Sequence, residues 1–191
     1  MEKIRPGDAA INIVLPGIDG TTFDLSSLSG RRYMVSFLRF ATCPFCNLRL
    51  HQLVSRREEL GNDFTIVAIF DSPIETLKRS AEKHESPYPI LADEKNTYYR
   101  AYGVERSTWG LIKGMFLRMP TLLHAMFVRR YIPWPITGSM RTMPLDILVT
   151  EDGIVHTVYY GRDEGDHLAF EAIKSFSILA HVEPNSYSHS L

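Results

Sequence analysis

The sequence predicts an α/β fold in which a mixed central sheet carries helices on both faces. Two patterns support this prediction. Strand and helix signals alternate in the first half of the chain, and a β-hairpin signal followed by a helix lies near its C-terminal end. The chain has 191 residues, of which 45% are hydrophobic and 23% are charged. A chain of this size can bury a core without disulfides or a structural metal, so we expect one domain over residues 1–191.

The first strand–helix unit is predicted between residues 33 and 61. Residues 33–40 form a mostly apolar run with β-branched and aromatic members, which is typical of a buried strand. Leucines then recur at helical intervals until Gly61. Proline is favoured at the first helical position, where its missing N–H costs nothing. We therefore predict a helix that begins at Pro44 and has Cys43 as its N-cap.

The chain contains only two cysteines, Cys43 and Cys46. Their spacing puts both sulfurs on one helix face, near enough for a reversible disulfide. The unpaired N–H groups and the dipole of the helix N-terminus favour a thiolate there, and Arg39 adds to this effect if it turns toward the pair. We predict Cys43 as an exposed nucleophile and Cys46 as the more buried resolving thiol, with Thr42 and Pro44 as supporting residues. The alternative is two inert, buried thiols.

No metal or cofactor is predicted. Two thiols cannot complete a tetrahedral zinc site, and no second pair of ligands is visible.

The remaining elements follow the same alternation of strand and helix signals. In chain order they are a central strand at 63–70, a helix from Pro73 to about His84 capped by Asp71-Ser72, a short strand at 88–91, helical turns at 96–102, a hairpin of 145–149 and 154–160 around Asp152-Gly153, a helix at about 166–179 and a mobile polar tail at about 181–191. A Cys-x-x-Cys motif after the first strand of a βαβ unit is the thioredoxin arrangement. The sequence thus predicts a thioredoxin-like fold.

Three segments resemble a known family in their order and spacing. They are residues 13–30, the LAD and AYGV motifs within 91–104, and the YGRDEGDH motif at 160–167. Through them nearly the whole chain resembles the peroxiredoxin-like branch of the alkyl hydroperoxide reductase/thiol-specific antioxidant (AhpC/TSA) superfamily. The resemblance implies an N-terminal β-hairpin. The likeness to the thioredoxin fold implies that Pro144, which follows Met143 and precedes a late strand, is a cis-proline lying against the disulfide.

The chain departs from that family at the reacting residues. Peroxiredoxins place a proline and a threonine seven and three residues before the peroxidatic cysteine. With Cys46 in that place, these positions hold Arg39 and Cys43. The family's later arginine falls near Pro144, and Arg141 is the candidate substitute. Because peroxide attack needs donors aimed at the developing oxyanion, this set of residues favours thiol–disulfide exchange.

We therefore predict a thiol-disulfide oxidoreductase that cycles Cys43–Cys46 in an antioxidant or redox-homeostasis role. Its partners are expected to be protein or small-molecule disulfides and a cellular thiol reductant. One alternative is a thiol-dependent, peroxiredoxin-like peroxidase that reduces hydroperoxides. Another is a non-enzymatic redox sensor or adaptor that uses the basic segment described next to bind a partner.

A basic segment without any Asp or Glu extends over residues 106–141. It contains six Lys or Arg residues and both tryptophans of the chain. We interpret it as a helical insertion with two short amphipathic helices, the second starting after Pro120, that covers or borders the active site. The insertion is a candidate for substrate choice, homodimer formation or contact with a membrane surface. The alternative is a small satellite core whose arginines face water.

Charge and leader signals limit the expected partners and location. The formal net charge is −1, so no overall field favours nucleic acid. The N-terminus lacks the apolar core of a signal peptide, and no uncharged run approaches the ~20 residues of a spanning helix. We expect a cytoplasmic protein.

Overall fold

Five strands form a mixed central sheet in the computed structural model, which describes residues 3–81, 85–134 and 136–178. The strands of the molecule in chain order are β1 (Val14–Pro16), β2 (Thr22–Asp24), β3 (Tyr33–Phe37), β4 (Thr65–Phe70), β5 (Ile90–Ala92), β6 (Leu145–Val149) and β7 (Val155–Tyr160). The sheet order is β5-β4-β3-β6-β7, in which β3, β4 and β5 are parallel and β6 and β7 are antiparallel to their neighbours. Strands β1 and β2 pair separately as the implied N-terminal hairpin.

Helices surround this sheet, which confirms the predicted α/β class. They are α1 (Pro44–Ser55), α2 (Ile74–Ala81), α3 (Thr97–Ala101), α4 (Thr108–Leu117), α5 (Met119–Leu123) and α6 (Phe170–Ser177), with a π-helical turn at His124–Val128 and 3-10 turns at Leu25–Leu28 and Arg57–Glu59. The predicted helix after Pro73 extends to about residue 84, and residues 82–84 lie outside the described residues. The whole of the predicted tail at 181–191 lies outside them as well.

Several element boundaries differ from the sequence prediction, and two of them lie beside a hydrogen bond from the backbone to a side chain. Strand β3 ends at Phe37 rather than at residue 40, because the Arg39 N–H donates to the Cys46 sulfur and not to a strand. Helix α6 begins at Phe170 rather than at 166, because the Leu168 N–H donates to the buried Asp146 carboxylate at 2.9 Å.

Strand β3 is fully buried, and its side chains alternate between the two faces of the sheet. Val35 and Phe37 pack into the core that includes the N-terminal hairpin and α3, where Phe37 meets the Tyr99 ring edge-on. Met34 packs on the other face, among residues of α1 and α6. This burial on both faces fixes the end of β3, from which the chain enters the Cys-x-x-Cys turn.

A buried ionic network attaches α1 to the sheet. Asp146 of β6 accepts hydrogen bonds from Ser36 at 2.6 Å and from the Arg49 guanidinium of α1 at 3.2 Å, and His167 lies 3.3 Å away. Burial by itself would raise the pKa of Asp146. The charge of Arg49 and the bonds from His167 and Ser36 outweigh it, so the pKa lies below its ordinary value.

The basic segment folds as an insertion between α3 and β6. Its two ends are joined by an antiparallel bridge between Arg106 and Thr142 and by a 2.8 Å hydrogen bond from the Ser107 N–H to the Arg141 carbonyl. Helices α4 and α5 and the π turn come first, and residues 129–141, here called the return limb, lead back to the sheet. Helix α5 begins at Met119, one residue before Pro120 and not after it.

Candidate active site

The N-terminus of α1 forms as the cysteine and proline spacing predicts. Cys43 is the N-cap, with an extended backbone, and Pro44 occupies the first helical position. The Asn47 amide holds the turn that precedes the helix, because it donates to the carbonyls of Ala41 at 2.9 Å and Cys43 at 2.8 Å. The two cysteines therefore occupy adjacent positions on one helical turn.

The sulfurs of Cys43 and Cys46 lie within hydrogen-bonding range of each other and are not joined in a disulfide. Arg39 contacts both. Its backbone N–H donates to the Cys46 sulfur at 3.2 Å, and its Nη1 donates to the Cys43 sulfur at 3.6 Å. The condition stated for Arg39 in the sequence analysis, that it turns toward the pair, is met by this geometry.

The environment separates the two thiols electrostatically. Burial opposes ionisation of Cys43, but the hydrogen bond from Cys46, the charge of Arg39 and the N–H groups of Cys46 and Phe45 outweigh it and lower its pKa to about 6. Burial raises the pKa of Cys46 well above its ordinary value, and the hydrogen bond to Cys43 and the charge of Cys43 raise it further. Cys43 is therefore the thiolate, and Cys46 is the thiol that donates to it.

Neither sulfur is exposed, and the prediction of an exposed Cys43 is wrong. Both cysteines have 0% relative accessibility. The return limb lies next to the residues that surround the pair, since Arg39 Nη2 donates to the carbonyl of Met140. The limb lies so close to the core that a Cβ on Gly138 would be 3.0 Å from the Phe40 side chain. The return limb therefore borders the site, which is one of the two positions predicted for the insertion.

Asp71 fixes the return limb to the core. Its carboxylate accepts hydrogen bonds from the Ser139 N–H at 3.0 Å, the Thr142 hydroxyl at 3.3 Å and the Asn96 amide at 2.7 Å. The sequence prediction gave Asp71 only a helix-capping role, because nothing local in the sequence indicates that residues near 140 return to this point. Asp71 is a residue of the site that the sequence analysis missed.

A cavity of about 440 Å³ opens beside the cysteine turn. Ala41 and Thr42 line one side, and Arg130, Ile132 and Trp134 of the return limb line the other. Thr42 directly precedes Cys43, so this cavity ends one residue from the thiolate.

The other predicted site residues are distributed differently. Met143 and Pro144 are buried at the entrance to β6, and Leu145 pairs with Phe37, so both lie at the sheet end that carries the cysteine turn. Contact between Pro144 and a disulfide stays a prediction. Arg141 is exposed on the return limb, so Arg39 is the arginine found at the sulfurs among the described residues.

A buried carboxylic acid adjoins this site and was not anticipated. Glu164, in the loop after β7, is 2% exposed, and its Oε2 has no hydrogen-bond partner among the described residues. Burial raises its pKa, and the charge of Arg39 partly offsets that effect. Within the same described residues, no group of three or more His, Cys, Asp or Glu side chains is arranged to hold a metal ion.

Comparisons with known proteins agree with this geometry. The AhpC/TSA family model matches residues 6–157. A Mycobacterium tuberculosis protein named provisionally as a peroxiredoxin is 31% identical over 127 residues, which cover 60% of this chain and 78% of that protein. The thiol-disulfide oxidoreductase ResA of Halalkalibacterium halodurans is 26% identical over 103 residues, covering 52% and 57% of the two chains.

The fold has a solved counterpart of nearly equal extent. The crystal structure of the peroxidoxin BcpB from Mycobacterium tuberculosis matches with a TM-score of 0.68 at 19% identity, covering 93% of this chain and 99% of that one. This likeness confirms the predicted thioredoxin-like fold.

Proposed function

This chain belongs to the AhpC/TSA family and is a thiol-based oxidoreductase, and on that premise we propose that it catalyses thiol–disulfide exchange through Cys43 and Cys46. The observation that carries the proposal is the contact of the Arg39 guanidinium with the Cys43 sulfur, beside which Cys46 lies within hydrogen-bonding range. Cys43 is held as a thiolate by Arg39 and by the helix N-terminus, and Cys46 stands beside it as a protonated thiol. A nucleophile and its resolving partner are thereby already distinguished before a substrate arrives.

In the proposed cycle, the Cys43 thiolate attacks one sulfur of a substrate disulfide. The substrate S–S bond breaks, and the leaving thiolate takes the Cys46 proton. The Cys46 thiolate then attacks the Cys43 sulfur of the mixed disulfide, which releases the second substrate thiolate and forms the Cys43–Cys46 disulfide. A cellular thiol reductant supplies the two electrons that restore the dithiol. The proposed role is antioxidant defence or redox homeostasis in the cytoplasm.

A hydroperoxide is the second candidate substrate, and burial of the sulfurs favours it. A protein disulfide cannot approach a sulfur that is 0% exposed unless the surrounding residues move, whereas a small hydroperoxide needs only a narrow opening. In this reaction the Cys43 thiolate attacks the peroxide, the O–O bond breaks, and an alcohol or water leaves. Cys46 then displaces water from the Cys43 sulfenic acid to form the same disulfide.

Two single-cysteine variants test these proposals against each other. Reduced wild-type protein, Cys43→Ser and Cys46→Ser are each mixed with a peptide disulfide and, separately, with hydrogen peroxide, and the double variant serves as the background. Thiol–disulfide exchange predicts that Cys46→Ser accumulates a mixed disulfide and that Cys43→Ser forms none. Peroxidase activity predicts instead that Cys46→Ser consumes about one equivalent of peroxide and accumulates a sulfenic acid.

Other outcomes would overturn the assignment. Cys43→Ser that still traps the disulfide or consumes peroxide at the wild-type rate would make Cys46 the nucleophile. A wild-type protein inert toward both substrates would indicate a redox sensor or adaptor. The proposed location and reductant are tested by trapping thiols in fractionated cells, where a cytoplasmic dithiol is recovered mainly reduced.

A further inference from the structure

The insertion exposes an unusual concentration of large apolar side chains. Of the fifteen large hydrophobic side chains that are exposed among the described residues, twelve lie within residues 106–141. The four largest are Trp109, Phe116, Phe127 and Trp134, which are 75%, 77%, 75% and 78% exposed. The insertion is therefore not a satellite core with its arginines facing water, because its aromatic side chains face water as well.

Helix α4 shows why these side chains point outward. Trp109, Ile112 and Phe116 follow the i, i+3, i+7 spacing of one helix stripe, and all three are exposed. The glycines at 110 and 114 take the contacts with the core. A Cβ at Gly114 would collide with the Glu164 carboxylate and lie 2.9 Å from Asp163 Cβ, so any larger residue here would force these neighbours to move. The helix is thus fixed by its glycines, and its apolar stripe has no partner in the described chain.

Cations accompany the exposed aromatic side chains. Arg118 is paired with Asp163 at 2.6 Å. Five further cations of the insertion are exposed and form no ion pair with the described residues, namely Arg106, Lys113, Arg129, Arg130 and Arg141. Residues 106–141 contain no Asp or Glu and carry a formal charge of +6. Because the net charge of the whole chain is −1, the other residues together carry −7. The charge of the molecule is therefore strongly polarised toward this surface.

We propose that the insertion is a docking surface for anionic lipid bilayers. Aromatic side chains enter the interfacial region, and the cations meet the lipid headgroups, as in amphipathic helices that lie in the membrane plane. A second copy of the chain fits less well, because it would bring the same unpaired cations against each other. Helix α4 has ten residues, and no single described helix is long and apolar enough to cross a membrane. Among the described helices, Thr108–Gly114 and Met119–Val128 are together long and apolar enough to do so, as a pair bent by 78°. The proposal takes this bent pair as lying at the bilayer surface, where its exposed aromatic side chains and cations both find partners.

The two tryptophans give a direct assay, because both lie in the insertion. Reduced full-length protein is titrated with vesicles of phosphatidylcholine alone or with added phosphatidylglycerol, and tryptophan emission and co-sedimentation are recorded. We expect a blue shift and co-sedimentation with the anionic vesicles, both weakened by high salt. Removing cations should weaken binding roughly fivefold for each one lost.

Matched variants separate the apolar and ionic contributions. Phe116→Ser combined with Phe127→Ser should reduce binding at least tenfold, and Ile178→Ser, an exposed apolar residue outside the insertion, should not. Arg129→Glu combined with Arg130→Glu should remove the preference for anionic vesicles, and Arg31→Glu should leave it unchanged. Circular dichroism checks that each variant is folded.

Several results would overturn the proposal. They are the absence of a blue shift with anionic vesicles, equal binding to neutral and anionic vesicles, and unchanged binding of the double Phe variant. A dimer in light scattering that the double Phe variant loses, without any lipid binding, would identify the surface as an interface between copies. None of these measurements depends on catalysis, so they stand apart from the tests of the proposed function.

Discussion

Replacing Arg39 by methionine should raise the pKa of the Cys43 thiol. Arg39 Nη1 lies 3.6 Å from the Cys43 sulfur. At an effective dielectric constant near 20, two unit charges about 4 Å apart interact by about 4 kcal/mol, which corresponds to about three pKa units. Rearrangement around the lost guanidinium reduces this value, so we expect a rise of about two units from about 6.

The assay is the pH dependence of thiolate absorbance and of iodoacetamide alkylation in the reduced protein with Cys46 in place, because the raised pKa of Cys46 keeps its own ionisation apart from that of Cys43. At pH 7 the ionised fraction of Cys43 should fall from roughly 90% to roughly 10%, with a similar drop in the alkylation rate. Arg39→Lys, which keeps the positive charge, should retain part of the effect. Arg141→Met, at an exposed arginine of the return limb, serves as the control. A pKa within about half a unit of the parent value in Arg39→Met would refute the reasoning.

Three further predictions follow from the buried polar groups. Cys46→Ala should raise the pKa of Cys43 more than Cys46→Ser, measured by alkylation, because only serine keeps a donor to the thiolate. Asp146→Ala should lower the free energy of unfolding by about 3–5 kcal/mol in urea titrations, since it leaves Arg49 buried and unpaired. The lowered pKa of Asp146 stabilises the wild type fully above its unfolded value of about 4 and less as the pH falls below it. Glu164 acts in the opposite direction, because its raised pKa makes the folded state lose stability as the pH rises from the unfolded pKa of about 4 toward the folded pKa. Glu164→Gln should remove this loss and so flatten the dependence of the unfolding free energy on pH. Similar pH profiles for wild type and variant, or a loss below about 1 kcal/mol for Asp146→Ala, would contradict these assignments.

The features that the sequence predicted well depend on residues close together in the chain. Pro44 at the first helical position and Cys43 as N-cap follow from local preferences, and the structure has both. The same holds for the apolar run of β3 and for the C-terminal hairpin. Local signals also placed the two sulfurs side by side.

The features that the sequence did not predict depend on distant residues. The return limb meets the site through the hydrogen bond from Arg39 to Met140, 101 positions away. The network around Asp146 joins residues 97 and 110 positions apart. No periodicity or motif reports such pairings, so both the burial of the thiolate and the role of Asp71 required coordinates.

The contact between Arg39 and the Cys43 thiolate also bears on the direction of electron flow. The contact exists only in the dithiol, because a disulfide carries no charge for the guanidinium to neutralise. With a pKa of about 6 for Cys43, ionisation stabilises the reduced protein at pH 7 by about 1.4 kcal/mol relative to an ordinary dithiol, or about 30 mV in reduction potential. The pair is accordingly a stronger oxidant than the same two cysteines would be without the arginine.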